Sequence, residues 1–203
     1  QEIYARHKNH SFSAKFWGHQ SHRDLPQLMS FEGDARTETQ DDQNLRGVFS
    51  WKYVREKSKL EWVGGVNLND LNYFRASTEA GFVNFNSKSK EKSYTNQLNF
   101  DWNPAKLLKF NWSINSSFHT VSVFDQAQKL GYDQDRLELS LLNAIYIQAM
   151  PEVSLSLLAR SDLYNNQLIG FIPSLGLEYS PWEKRQASVK FNLTRNYHQP
   201  GLK

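Results

Sequence analysis

Leu108-Lys109-Phe110-Asn111-Trp112-Ser113-Ile114-Asn115-Ser116-Ser117-Phe118-His119 alternates apolar and polar residues along most of its length. In an extended chain, Leu108, Phe110, Trp112, Ile114 and Phe118 face one way and Lys109, Asn111, Ser113, Asn115, Ser117 and His119 the other. A helix would mix the two sets, so this stretch is a strand with one oily and one wet face. The pattern returns at Tyr94 to Asp101, where Leu98 and Phe100 oppose Thr95, Gln97, Asn99 and Asp101. It returns again where Ala187, Val189, Phe191 and Leu193 oppose Ser188, Lys190, Asn192 and Thr194, and where Val153, Leu155 and Leu157 oppose Ser154 and Ser156.

Weaker versions cover Ser11 to His19, Leu45 to Tyr53, Leu60 to Asn69, Arg136 to Gln148 and Leu168 to Tyr179. That makes about nine strands, most of them near or above the roughly 9–11 residues of a tilted membrane-spanning strand. Soluble strands are usually only about 5–6 residues long. The connections alternate in kind. Short polar turns fall at Arg55 to Ser58, Asn103 to Lys106, Met150 to Glu152 and Pro181 to Lys184. Longer linkers fall at His22 to Gln43, Asn72 to Lys92 and Ser122 to Gln134, with a shorter one at Asn165-Asn166. An antiparallel up-and-down barrel in an outer membrane has this alternation, with tight periplasmic turns against long extracellular loops. Trp51, Tyr53, Trp62, Trp102, Tyr179 and Trp182 cluster beside the short turns, as an interfacial aromatic girdle would.

Composition fits such a wall. The 203 residues are 14% aromatic and 22% charged, with a formal net charge of +3 and no cysteine. The charges are interspersed, which removes the electrostatic footprint of a nucleic-acid binder. Without cysteine there is no disulfide framework and no Cys-based zinc site. No apolar run approaches the roughly 18 residues of a spanning helix, so a crossing of the membrane would use strands. The chain opens Gln1-Glu2-Ile3, and the expectation is a removed leader or a start within a longer protein.

Leu175 to Trp182, running on to Phe191-Asn192-Leu193-Thr194-Arg195-Asn196-Tyr197-His198-Gln199-Pro200-Gly201-Leu202, resembles the TonB-dependent outer-membrane receptor family, in which a strand ends in Arg-Asn-aromatic-x-x-Pro before the next extracellular loop. Gln43 to Trp51 resembles a strand of the same family, and so does Phe16 to Pro26, with its Arg-x-x-Pro loop start. The style is similar to cobalamin- and siderophore-type receptors of Bacteroidetes-like bacteria.

The resemblance implies an active importer of a scarce nutrient (siderophore-iron, cobalamin or similar) in the bacterial outer membrane. Its partners would be outer-membrane lipid, the small-molecule nutrient and, through a plug region, the TonB complex. The family's plug domain, energy-coupling box and terminal aromatic strand do not appear within residues 1–203, which would make the chain a fragment of a barrel of about 22 strands. Alternatives from the pattern alone are a small complete barrel of about 8–10 strands and a soluble carbohydrate-binding β-sandwich.

Chemical motifs are sparse. His22-Arg23-Asp24-Leu25 matches the start of a kinase catalytic loop, but Met29 stands where the magnesium-binding Asn belongs, and no Asp-Phe-Gly follows. His7, His10, His19 and His22, spaced by threes along strands, are expected on opposite faces and not to converge on a metal. Asp125, Asp133 and Asp135 read as loop acidity, and Gly64-Gly65 as a strand kink or bulge. No nucleophile elbow or carboxylate pair stands out, so no enzyme, cofactor or metal is expected. The expected ligand contacts are loop residues: Arg23 and Asp24 in the first long connection, Tyr73 and Arg75 in the second, and Tyr132 in the third. Phe110, Trp112, Ile114, Phe100, Leu98, Val189, Phe191 and Leu155 are expected on the convex, lipid-side face. Asn111, Ser113, Gln97, Asn99, Lys190, Asn192 and Ser156 are expected on the concave one.

Overall fold

The computed structural model describes residues 1–25, 36–77, 83–165, 167–182 and 187–195. Among them the alternating stretches form β1 (Glu2–His7), β2 (His10–Asp24), β3 (Arg36–Val54), β4 (Ser58–Ser77), β5 (Val83–Ala105), β6 (Leu108–Asp125), β7 (Leu130–Met150), β8 (Val153–Tyr164), β9 (Gln167–Trp182) and β10 (Ala187–Thr194). All ten belong to one antiparallel sheet in sequence order, an up-and-down meander without crossover. β1 and β10 stand at its two ends. The strand beyond the expected nine is β1, whose six residues alternate too weakly to read, since Tyr4 breaks the polar side. A two-residue turn, Lys8-Asn9, joins it to β2, with Lys8 in the left-handed region at φ 51° that such hairpin turns require.

Register assigns the faces. Phe100 pairs with Trp112 and Leu98 with Ile114, while Asn99 pairs with Ser113 and Asp101 with Asn111. Across β8 to β10, Leu155, Leu177 and Phe191 form one row, and Ser156, Gly176 and Asn192 the row facing the other way. The expected division of residues between two faces is therefore present. Stacked rings run along the apolar face: Phe100 lies on Trp112 (centroids 5.4 Å apart), Phe110 on Trp112 (5.6 Å) and Trp102 on Phe110 (5.3 Å). The two cross-strand pairs, Phe100–Trp112 and Trp102–Phe110, each add roughly 0.2–1 kcal/mol to the sheet, and Phe110–Trp112 is a stack along one strand.

No second layer covers either face among the described residues. Ala144 is the one buried hydrophobic side chain there, whereas Phe16, Leu45, Trp102, Phe191 and Leu193 are 40–62% exposed. A β-sandwich would bury these against another sheet. The apolar face is also bounded. On five successive strands its oily stretch is Leu45–Tyr53, Leu60–Leu68, Tyr94–Trp102, Leu108–Phe118 and Leu137–Ile147, interrupted at Gly47, Gly64, Asn96, Ser116 and Asn143. Toward the long-connection end the same face then turns polar: Gln43 and Asp41, Asp70 and Asn72, Lys92 and Lys90, Thr120 and Ser122, Asp135 and Asp133.

Two sequence expectations are corrected. Among the described residues, the connections at 22–43, 72–92 and 122–134 are largely strand, because β2 and β3 pair out to Asp24–Thr39, β4 and β5 to Ala76–Val83, and β6 and β7 to Asp125–Leu130. Thr37 to Gln43 is polar on both faces, and in the other two connections apolar residues fall on both, Phe74 and Phe124 on one and Phe85 and Val123 on the other, so alternation vanishes although the backbone ladder continues. At Gly64-Gly65 the register runs unbroken to β3 and β5, with no bulge. A Cβ on Gly64 would lie 2.9 Å from Trp62 Cζ2, and one on Gly65 would lie 2.7 Å from Thr95 Oγ1, so these glycines leave room for neighbouring side chains.

Candidate functional site at the long-connection end of the polar face

Four of the five expected contact residues share the polar face, and none of the five lies in a loop. Arg23 ends β2, Tyr73 and Arg75 lie in β4, and Tyr132 lies near the start of β7. Arg23, Gln40, Tyr73 and Ser87 occupy one row across β2 to β5, with Glu38, Arg75 and Phe85 in the row above. Asp24 is on the opposite face, its carboxylate 3.7 Å from His22 Nε2. Tyr132 is on the polar face but in β7, three strands beyond Tyr73, and 55% exposed. The site therefore centres on Arg23, Tyr73 and Arg75.

Three residues that hydrophobic patterning gave no reason to choose complete it: Glu38, Gln40 and Asp42, all on β3. Arg23 hydrogen-bonds Asp42, and the Gln40 amide donates to both Asp42 oxygens at 3.1 and 3.0 Å. The Arg23 guanidinium, then the Gln40 amide, hold the Asp42 carboxyl below its ordinary range. The Tyr73 hydroxyl donates to Glu38 Oε2 at 3.3 Å, and burial, then the Glu38 carboxylate, raise its pKa. Arg75 Nε sits 3.1 Å from Glu38 Oε1, a close ion pair without hydrogen-bond alignment, and its guanidinium lies 6.0 Å over the Phe85 ring. Two guanidiniums, two carboxylates, an amide, a phenol and an aromatic ring thus stand on one surface. This set can exchange internal pairs for hydrogen bonds to a polar ligand while the ring covers an apolar part.

The rest of the polar face is similarly cross-linked. Asn44 donates to Asn67 and Asn69, Ser140 donates to Asp162 at 2.6 Å, and Arg136 stacks 4.7 Å over Tyr164. Ser93 Oγ and His119 Nδ1 are 2.8 Å apart. A nucleophile–base pair also needs a group orienting the second imidazole nitrogen, and among the described residues His119 has none. Asp125 accepts from the backbone N–H groups of Ala127 and Gln128, so it shapes the β6–β7 turn.

The histidines are not all dispersed, which corrects the strand-spacing argument. The Lys8-Asn9 turn makes His7 and His10 direct cross-strand partners. His10 Nδ1 accepts from Trp51 Nε1 at 3.1 Å, which places the proton of the neutral ring on Nε2.

His22 and Asp41 close the β2–β3 tip on the apolar face, beyond its oily stretch, at 2.5 Å. The hydrogen bond to Asp41 and its charge raise the His22 pKa above 6.5. Because the folded value is the higher one, the charged pair contributes fully below about pH 6.5 and is lost as pH rises through the folded value. Amide exchange at Ser21 to Asp24, corrected for intrinsic rate, is expected to be slower at pH 5.5 than at pH 8, by no more than about fivefold for an exposed pair. His22→Gln should remove the difference.

No protein-family model and no curated protein matches the chain. Among solved structures, the crystal structure of the siderophore receptor PirA from Pseudomonas aeruginosa is similar to it, with a TM-score of 0.46 and 13% identity. The alignment covers 99% of this chain and 39% of that one, so the chain spans about two fifths of the receptor's length. A likeness of this size carries no argument about activity, and the architecture rests on the strand register itself.

Proposed function

We propose that this chain is a stretch of transmembrane β-barrel wall in an outer membrane, within an active importer of a scarce small nutrient. The bounded apolar face carries the reading. A stretch of 9–11 residues rises about 30–36 Å along a strand, or about 23–28 Å when tilted by roughly 40°, close to the roughly 25 Å apolar band of outer-membrane barrels. Water would leave that face uncovered, whereas lipid covers it. The polar continuation of the strands then lies outside the membrane, and the opposite face lines a lumen. Unpaired strand edges are costly in lipid, so further strands flank β1 and β10 in the intact wall.

Import in place of catalysis is supported by the polar cluster of Arg23, Tyr73 and Arg75 at the outer mouth. TonB dependence and a plug rest on the resemblance of Gln43 to Trp51, Phe16 to Pro26 and Leu175 to Leu202 to that receptor family. Of these, residues 26, 183–186 and 196–202 lie outside the described set. The test is binding and uptake of a ferric siderophore and of cobalamin by cells carrying the full-length protein, with and without an uncoupler. Arg23→Gln combined with Arg75→Gln should weaken binding of the transported probe about tenfold or more, the size expected for lost charged hydrogen bonds. Unchanged affinity would place recognition elsewhere, and uptake indifferent to the uncoupler would remove energised import.

A further inference from the structure

Lys88, Lys90 and Lys92 project from β5 on the apolar face, immediately beyond Tyr94, where the oily stretch ends. All three are exposed, and none has a hydrogen bond or ion pair among the described residues. On the polar face Lys15, Lys59 and Lys190 are paired with Glu2, Glu61 and Glu178, and Lys52 and Lys109 have no such partner among the described residues; what distinguishes Lys88, Lys90 and Lys92 is that they stand in one row on the apolar face. Successive lysines two residues apart are about 6.6 Å apart along the strand. Their cross-strand partners add Asn72 from β4 and the hydroxyls of Thr120 and Ser122 from β6. One carboxylate, Asp70, opposes the strip from an adjacent strand, across from Lys90. Asp41, Asp133 and Asp135 lie a further strand away on either side.

We propose that Lys88, Lys90 and Lys92 form a docking strip for phosphate-bearing lipid headgroups of net negative charge in the outward-facing leaflet. The inference rests on the membrane reading above, which sets the depth of the strip: Tyr94 at the upper edge of the apolar band puts Lys92 at headgroup level. Ammonium groups there gain from an anionic headgroup, and the neighbouring hydroxyls and amide supply donors to the remaining phosphate oxygens. The acyl chains of the same lipid would lie along Tyr94 and Leu98. Exposed lysines in water would serve solubility alone, but three unpaired ones stacked on the lipid-side face meet a membrane surface whose charge is opposite to theirs.

The test uses the full-length protein in liposomes containing brominated phosphatidylcholine or brominated phosphatidic acid, with quenching of tryptophan fluorescence as readout. The reporter is Tyr94→Trp, on the lipid-side face next to Lys92 and carried in all variants compared, because Trp62 and Trp112 lie toward the short-turn end of the apolar band. The wild type should be quenched by both lipids and prefer phosphatidic acid, by up to about fivefold per lysine at low salt. K88Q/K90Q/K92Q should bind the two lipids equally, whereas K88R/K90R/K92R should keep the preference. Quenching by both lipids with no preference in the wild type, or a preference unchanged in the glutamine variant, would overturn the strip and leave the membrane reading standing. Absence of quenching by either lipid would overturn the membrane reading and the strip with it.

Discussion

Leu98→Arg is expected to destabilise the assembled barrel by roughly 2–4 kcal/mol, while Gln97→Arg, its immediate neighbour, should cost well under 1 kcal/mol. Leu98 lies midway along the Tyr94–Trp102 oily stretch, opposite Trp62 and Ile114. A guanidinium there must enter hydrocarbon or drag headgroups and water toward it, and the cost of a charge is greatest at the midplane. Gln97 faces the other way, is exposed, and donates to Asn99 at 3.3 Å, so a longer charged side chain there stays in water. Equilibrium unfolding of the two variants in lipid vesicles measures the contrast. Equal costs at the two positions would remove the membrane assignment of this face. The absence of native cysteine offers a second check. A charged maleimide should label Gln97→Cys and leave Leu98→Cys unmodified in intact membranes.

Gly176→Val is expected to cost about 1–3 kcal/mol, the range for overpacking an ordered site. A Cβ at this position would overlap Ser156 Oγ and lie 3.0 Å from Asn192 Oδ1. Gly176 stands between those two residues in the row that crosses β8, β9 and β10. The polar side chains on either side lean over the glycine, and a branched side chain must displace both. Ser156→Gly in the same background should restore part of the loss, since it removes the nearer obstacle. If Gly176→Val unfolds at the same denaturant concentration as the wild type, the row is loose enough to open and the close packing of this face is not a source of stability.

How far the candidate site could be read in advance depended on what surrounds each strand. Within the oily stretch, one face is apolar and the other polar, so residues such as Phe110 and Asn111 announce their sides by type. Beyond it, Thr37 to Gln43 is polar at every position. The sequence there carries no period, yet β3 continues through it and pairs with both neighbours. Arg23, Tyr73 and Arg75 stood out as charged and aromatic residues in apparent loops. Their partners Glu38, Gln40 and Asp42 did not, because their significance comes from sitting across the ladder on the same face.

Alternation by itself determined the all-β class, the antiparallel order implied by alternating connections, and the division of residues between two faces. These follow from the period of two, which is local and survives without knowledge of any partner strand. Only the tertiary structure decided the register, and register decides every non-local neighbour. It placed His7 against His10 across a two-residue turn, set Asp24 on the face opposite Arg23, and left Lys88, Lys90 and Lys92 beyond Tyr94 without a hydrogen bond or ion pair among the described residues. A shift of one residue would exchange the faces of a whole strand, so the site exists through pairing that is spread over the full length of each ladder and encoded at no single position.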